Sequence, residues 1–253
     1  MEKITTWFGR PVNDLSREEL LKCIIERCLV PEPNHILFEN GPLAGTGFLL
    51  PCKSGNTSVK WVLWRALQMG PASENIHAAD LFPYASVERI SMEADTIVGL
   101  IRDPWERVQS QYNYLAPKGM TFPAWMRKVA KHPDYVADQH ERSQWWDLQW
   151  GGQVLPDIWI TASVRGMRAC VAAIDQMNTG ASEDVGALID KMMDDVRVTN
   201  TLEDNGITRR PIDELFDDGE ARSAFMSRYG HDLLLYEHAT SGGQATAIQR
   251  RSG

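Results

Sequence analysis

Two short segments carry residue types that can grip anions. The first is Lys53-Ser54-Gly55-Asn56-Thr57-Ser58, with one cation, one flexible glycine and four small polar residues. It opens onto an apolar helical pattern. N–H groups at a helix start attract anions, because they lack intrahelical partners and carry the positive end of the helix dipole. Lys53 adds a mobile charge, and Thr57 and Ser58 add hydroxyl donors. The composition fits a phosphate cradle. It also fits an N-capped helix with an exposed lysine, since such caps are common. The spacing of a Walker A loop, G-x-x-x-x-G-K-[ST], is absent.

The second segment is Arg102-Asp103-Pro104, with Ser110 eight residues after the arginine. An arginine fork can hold a phosphate bidentately, and a serine hydroxyl can complete the shell. Each charge-assisted bond of this kind contributes about 1.5–3 kcal/mol. Two anion grips at neighbouring strand ends describe one ligand with two separated phosphates.

The elements around these segments must place them together. Residues 48–50 read as a short apolar strand, followed by the polar loop and a helix over 58–69. A second strand is expected at 75–78 and a helix over 83–92. The run 96–101 has no polar alternation, as in a strand covered on both faces. Pro104 sits where a first helical turn tolerates it, and the helix continues to 115. Helices are also expected over 15–29, with a Ser16–Glu19 capping box, and over 122–131, 164–177 and 221–237, with a strand at 157–161. Strands alternating with helices indicate an α/β fold with a largely parallel sheet, whose ligands sit at the carboxyl ends of strands. No linker divides the chain, so residues 1–239 read as one domain and 240–253 as a disordered tail.

Lys53-Ser-Gly-Asn-Thr-Ser-Val-Lys60 resembles the 5′-phosphosulfate loop of sulfotransferases, commonly Pro-Lys-x-Gly-x-Thr followed by an aromatic residue. Ile101-Arg-Asp-Pro-Trp-Glu-Arg-Val-Gln-Ser-Gln-Tyr112 resembles their 3′-phosphate motif, Arg-Asp-Pro-x-x-Arg followed by Ser-x-Tyr. The chain looks most like carbohydrate sulfotransferases of the chondroitin and dermatan type. Asp138-Gln-His140-Glu-Arg-Ser-Gln144 is similar to their downstream Asp-x-His-x-x-x-Gln element, and Tyr229-Gly-His-Asp232-Leu-Leu-Leu-Tyr236 to their closing helix. The chain departs at Cys52, with Pro51 one step before the expected proline position, at Val59 in place of the aromatic, and at Glu141 and Ser143, where the group has Trp and Pro.

The resemblance implies a P-loop-like three-layer fold and 3′-phosphoadenosine 5′-phosphosulfate (PAPS) as co-substrate, without a metal. It implies that Lys53 contacts the phosphosulfate and stabilises the bridging oxygen. Ser54, Gly55, Asn56, Thr57 and Ser58 would wrap the 5′-phosphate, and Arg102 and Ser110 would hold the 3′-phosphate. Arg107 and Tyr112 would brace the helix. The family's general base lies just after the second strand, where Glu74, His77 and Asp80 fall. His77 is the first candidate, because imidazole can be neutral near pH 7. Glu74 is the second, and His140 the third. His77 is equally readable as a satisfied loop histidine, and His140 as a substrate-orienting contact.

Trp145, Trp146 and Trp150 suit either sugar faces or a core. Asp194-Asp195 and Asp217-Asp218 read as solvated turns or helix ends rather than metal ligands. The 253 residues carry a net charge of −8, which argues against a duplex nucleic-acid partner. The four cysteines form neither a zinc pattern nor a disulfide framework. No run approaches the ~20 apolar residues of a membrane span, and no signal core stands near Met1. The expectation is a soluble cytoplasmic enzyme that sulfates an acceptor hydroxyl, with a carbohydrate as the leading class. The competing readings are a P-loop-like nucleotide kinase and a non-catalytic PAPS-binding protein.

Overall fold

The computed structural model describes residues 6–7, 10–11, 16–24, 34–67, 81–134, 137–161, 216 and 218–241. The strand expected at 75–78 and the helix expected over 164–177 lie outside them, as do Glu74, His77, Asp80 and the pair Asp194-Asp195.

A four-stranded sheet forms the centre. Its strands are β3 (His35–Phe38), β4 (Thr46–Leu49), β5 (Thr96–Ile101) and β8 (Ile158–Thr161), side by side in that order. The β4–β5 and β5–β8 pairings are parallel, whereas β3 runs antiparallel to β4. The sheet is therefore mainly parallel, as expected, with one antiparallel edge that the sequence pattern did not reveal. The link from Phe38 to Thr46 is too short for a crossover, so the chain must double back. Left-handed Gly41 and Gly45 (φ 81° and 75°) make that reversal.

The register sets Ile36, Phe48, Val98 and Ile158 in one row across all four strands. All four are buried. The opposite face is covered too: Leu37, Leu49, Ile97 and Ile101 pack with Val87 and Ile90 of α3 (Val87–Glu93) and with Leu148, Leu155 and Leu235. Helices flank the sheet, and the protein is an α/β structure. Gly99 lies where Pro156 and Leu148 press against β5, so close that a Cβ would collide with Pro156.

Remaining elements follow their local signals. Helix α1 (Arg17–Ile24) begins at the expected capping box, with reciprocal bonds from Ser16 N to Glu19 Oε2 (2.7 Å) and Glu19 N to Ser16 Oγ (3.1 Å). Helix α2 is Asn56–Ala66. Helix α4 (Pro104–Leu115) starts with proline in its first turn behind an Asp103 cap. Helix α5 (Phe122–Val129), Phe216 and α7 (Gly219–Ser241) close a second core through Trp125, Met126, Phe225 and Tyr229. Asp218 caps α7, accepting from Glu220 N and Ala221 N, so this acidic residue is a helix end. Between these lie the one-and-a-half-turn helix α6 (Gln144–Leu148) and the small hairpin β6 (Gln149–Trp150) and β7 (Gln153–Val154). A further two-residue pair, β1 (Thr6–Trp7) and β2 (Arg10–Pro11), lies near the N-terminus.

Candidate functional site

Strands β4 and β5 are parallel neighbours, so their carboxyl ends open on the same edge of the sheet. The turn 52–55 follows β4 and leads directly into α2. Arg102 follows the last residue of β5. The two segments meet, because Arg102 Nη1 donates to the Lys53 carbonyl at 3.2 Å.

The turn is tightly curled. Lys53 and Gly55 both adopt left-handed backbone, with φ of 61° and 94°. Gly55 has no Cβ to clash, but the conformation costs Lys53 about 1–2 kcal/mol. Strain of this kind persists only where the surroundings over-determine it, and such positions cluster at functional sites. The turn also delivers the chain to the start of α2, where first-turn N–H groups have no intrahelical acceptor.

Two cations stand at this edge of a protein whose net charge is −8. The Lys53 ammonium rests 3.3 Å from the ring centroid of Tyr114, a cation–π contact. Burial pushes Lys53 below the ordinary lysine range, and the neighbouring Arg102 charge adds to the fall. The Arg102 guanidinium also meets Glu106 at 3.5 Å, a loose pair with a half-exposed carboxylate.

Behind the turn lies a buried polar frame. Asn34 donates to Cys52 Sγ at 3.0 Å and accepts from Asn56 Nδ2 at 2.9 Å and from Lys60 Nζ at 3.3 Å. Arg107 is fully buried, donating from Nε to the Cys52 carbonyl (2.9 Å) and from Nη2 to the Arg142 carbonyl (2.7 Å). Asp232 stands 3.9 Å from Arg107 and accepts the N–H groups of Gln144 and Trp145. Burial raises the Asp232 carboxyl to about 6, against the opposing pull of Arg107. The Tyr229 hydroxyl donates to the Glu141 carbonyl at 2.8 Å and lies 3.1 Å from the Gln111 side-chain amide. Tyr112 donates to the Met120 carbonyl at 2.7 Å. Arg107 and Tyr112 thus brace α4, as read from the sequence.

The remaining anticipated donor residues divide by what their side chains touch. Ser54 is fully buried and donates its hydroxyl to Gln144 Oε1 at 2.8 Å. The Asn56 amide nitrogen is spent on Asn34, and its oxygen accepts from Thr57 N at 2.9 Å. An anion at this turn would therefore meet the main chain of Ser54 and Asn56 rather than their side chains. Thr57 is half-buried in the first turn of α2, beside Ser58, and Ser110 is half-buried on α4.

In front of the turn, His140 Nδ1 lies 2.7 Å from Asp138 Oδ1, and His140 N donates to the same oxygen at 2.8 Å. Burial alone would raise the Asp138 carboxyl. The bonds from His140 outweigh it and hold the group below the usual carboxylate range. The His140 ring is centred 5.1 Å from Tyr114, whose ring also carries the Lys53 ammonium. One exposed tyrosine therefore joins the lysine to the histidine–carboxylate pair. Of the three base candidates, His140 is the one among the described residues, and it shares the Tyr114 ring with Lys53.

Sequence reasoning missed Tyr114, Asn34, Lys60 and the bridging role of Gln144. Tyr114 stands two residues beyond the motif tyrosine, with no pattern to mark it. Lys60, which closes the quoted motif without a role of its own, is buried and pushed down to about 8 by that burial. Of the three tryptophans, Trp146 is buried, while Trp145 and Trp150 are half-buried against the core. Among the described residues no group of three or more His, Cys, Asp or Glu could hold a metal ion. No helix among them is long and apolar enough to cross a membrane.

Comparison with protein-family models, with curated proteins and with solved structures finds no match.

Proposed function

We propose that the chain is a PAPS-dependent sulfotransferase of P-loop-like fold that transfers a sulfuryl group to an acceptor hydroxyl, with carbohydrates as the leading acceptor class. One observation carries the reading. Lys53 and Arg102 stand at the carboxyl ends of adjacent parallel strands and touch through a 3.2 Å hydrogen bond. The 5′-phosphosulfate would lie over the turn 53–58, and the 3′-phosphate would lie against Arg102 and Ser110.

The reaction is an in-line displacement, in which positioning and charge stabilisation supply most of the catalysis. The acceptor oxygen forms a bond to sulfur, and the bond from sulfur to the bridging oxygen breaks. The bonding pair stays on that oxygen, leaving 3′-phosphoadenosine 5′-phosphate, and the acceptor proton passes to a base. Lys53 stabilises the leaving oxygen. His140 is the base favoured here: a proton on Nδ1 directed at Asp138 leaves Nε2 to accept the acceptor's proton. Tyr114, largely exposed and in contact with both Lys53 and His140, offers aromatic surface suited to the apolar side of a sugar ring.

The test uses sulfur-labelled PAPS with a panel of glycan, phenol and alcohol acceptors. The expected outcome is label transfer without added magnesium, reduced on the order of 10²–10³-fold in Lys53→Ala with much of the nucleotide affinity kept. Absence of PAPS binding, or magnesium-dependent phosphoryl transfer from ATP, contradicts the proposal. Tight PAPS binding without turnover on any acceptor supports the non-catalytic alternative.

A further inference from the structure

Gln144 stands between the two anion grips and touches both. Its side-chain oxygen accepts from the Ser54 hydroxyl at 2.8 Å and from the Arg102 main-chain N–H at 2.9 Å. Its amide nitrogen donates to the Arg102 carbonyl at 2.9 Å. The residue is fully buried, and its bond with Ser54 is buried with it, while the two bonds with Arg102 are part-buried. Its own main-chain N–H is held by Asp232 of α7 at 2.9 Å, which fixes the start of α6 from behind. A buried amide with both ends engaged is a rigid spacer, and leaving its partners unpaired is costly.

We infer that Gln144 is a positioning residue that fixes the separation between the Lys53 turn and Arg102, so that the two grips act as one site for a ligand carrying two anionic groups. The inference rests on the donor reading above and deepens it. A misplaced grip still attracts an anion through its charge. What it loses is simultaneous engagement of two groups on one ligand, and selectivity for such ligands is lost with it.

Glutamate at this position makes a reversible version of the spacer. A protonated carboxyl offers one oxygen to accept and one hydroxyl to donate, as the amide does. The ionised form has no donor for the Arg102 carbonyl. The groups around it are Ser54 and Lys53 from the turn, Arg102 from the end of β5, Arg107 from α4 and Asp232 from α7.

The experiment titrates 3′-phosphoadenosine 5′-phosphate and adenosine 5′-phosphate into the full chain and into Gln144→Leu and Gln144→Glu. It is done by calorimetry near neutral pH and near pH 5, each variant referred to wild type at the same pH. Wild type should prefer the bisphosphate on the order of 10–100-fold. Folded Gln144→Leu should lose about tenfold of that preference while its monophosphate affinity stays within about threefold. Gln144→Glu should show the loss near neutral pH and recover in acid. Equal weakening for both nucleotides would mean a merely structural role and overturn the inference, as would a preference kept in full. A wild type without preference overturns both this inference and the donor reading. If Gln144→Leu does not fold, Gln144→Glu decides alone: a wild-type preference at both pH values overturns the inference.

Discussion

Behind the Lys53 turn, the side chains of Asn34, Ser54, Lys60, Arg107 and Gln144 are all buried and hydrogen-bonded, most of them to partners far away in sequence. In front of it, Tyr114 is largely exposed, and His140 depends on Asp138, its neighbour two residues back. The side proposed to hold the donor is thus held by the whole fold, whereas the side proposed to face the acceptor is held locally. A frame of the first kind fixes a grip to the tolerance that in-line chemistry needs. Side chains of the second kind can adjust to the partner they meet, and specificity can change there without unsettling the core.

Removing a part from each side should separate the two. The largest effect is expected for Arg107→Ala, which deletes the bonds to the Cys52 and Arg142 carbonyls and leaves Asp232 buried without its cation. Stability should fall by about 3–5 kcal/mol in urea unfolding. A loss under about 1 kcal/mol would show that the frame does not depend on it. His140→Gln should do the opposite. Stability should stay within about 0.5 kcal/mol, while the transfer rate falls about 10²-fold or more. An unaltered rate would return the base to His77 or Glu74.

A smaller effect sharpens the same contrast through pH. Lys60 is pushed from 10.5 to about 8 in the fold, chiefly by burial. Between those values the unfolded chain binds more protons than the native one, so stability rises with pH across that window. Below about 8 the cost of a buried ammonium is present in full. In urea titrations, wild type should therefore gain on Lys60→Met as the pH is raised from 8 towards 10. A constant difference would mean that Lys60 keeps its charge well solvated.

Much of the proposed donor side was legible because its signals are local. The uninterrupted apolar run of β5, the Asp103 cap and Pro104 specify a strand, a stop and a helix within a few residues. The Lys53 turn was ambiguous alone, and the fold adds that it lies against Arg102. The bracing was hidden because it is non-local. Asp232 meets residues 144 and 145 across 88 and 87 positions, and Tyr229 meets Gln111 across 118. Strand β3 escaped notice because its polar residues, Asn34 before it and His35 within it, break the apolar pattern, yet both are buried. The His140–Asp138 pair was present in a quoted motif, but its contact with Tyr114, the ring that also carries Lys53, needed the fold.

The central claim is that Lys53 and Arg102 hold one bisphosphate ligand, and calorimetry on Arg102→Ala tests it most directly. The substitution should weaken 3′-phosphoadenosine 5′-phosphate by about 10–100-fold while leaving adenosine 5′-phosphate within about threefold of wild type. Equal losses for the two nucleotides, or no loss for either, would contradict it.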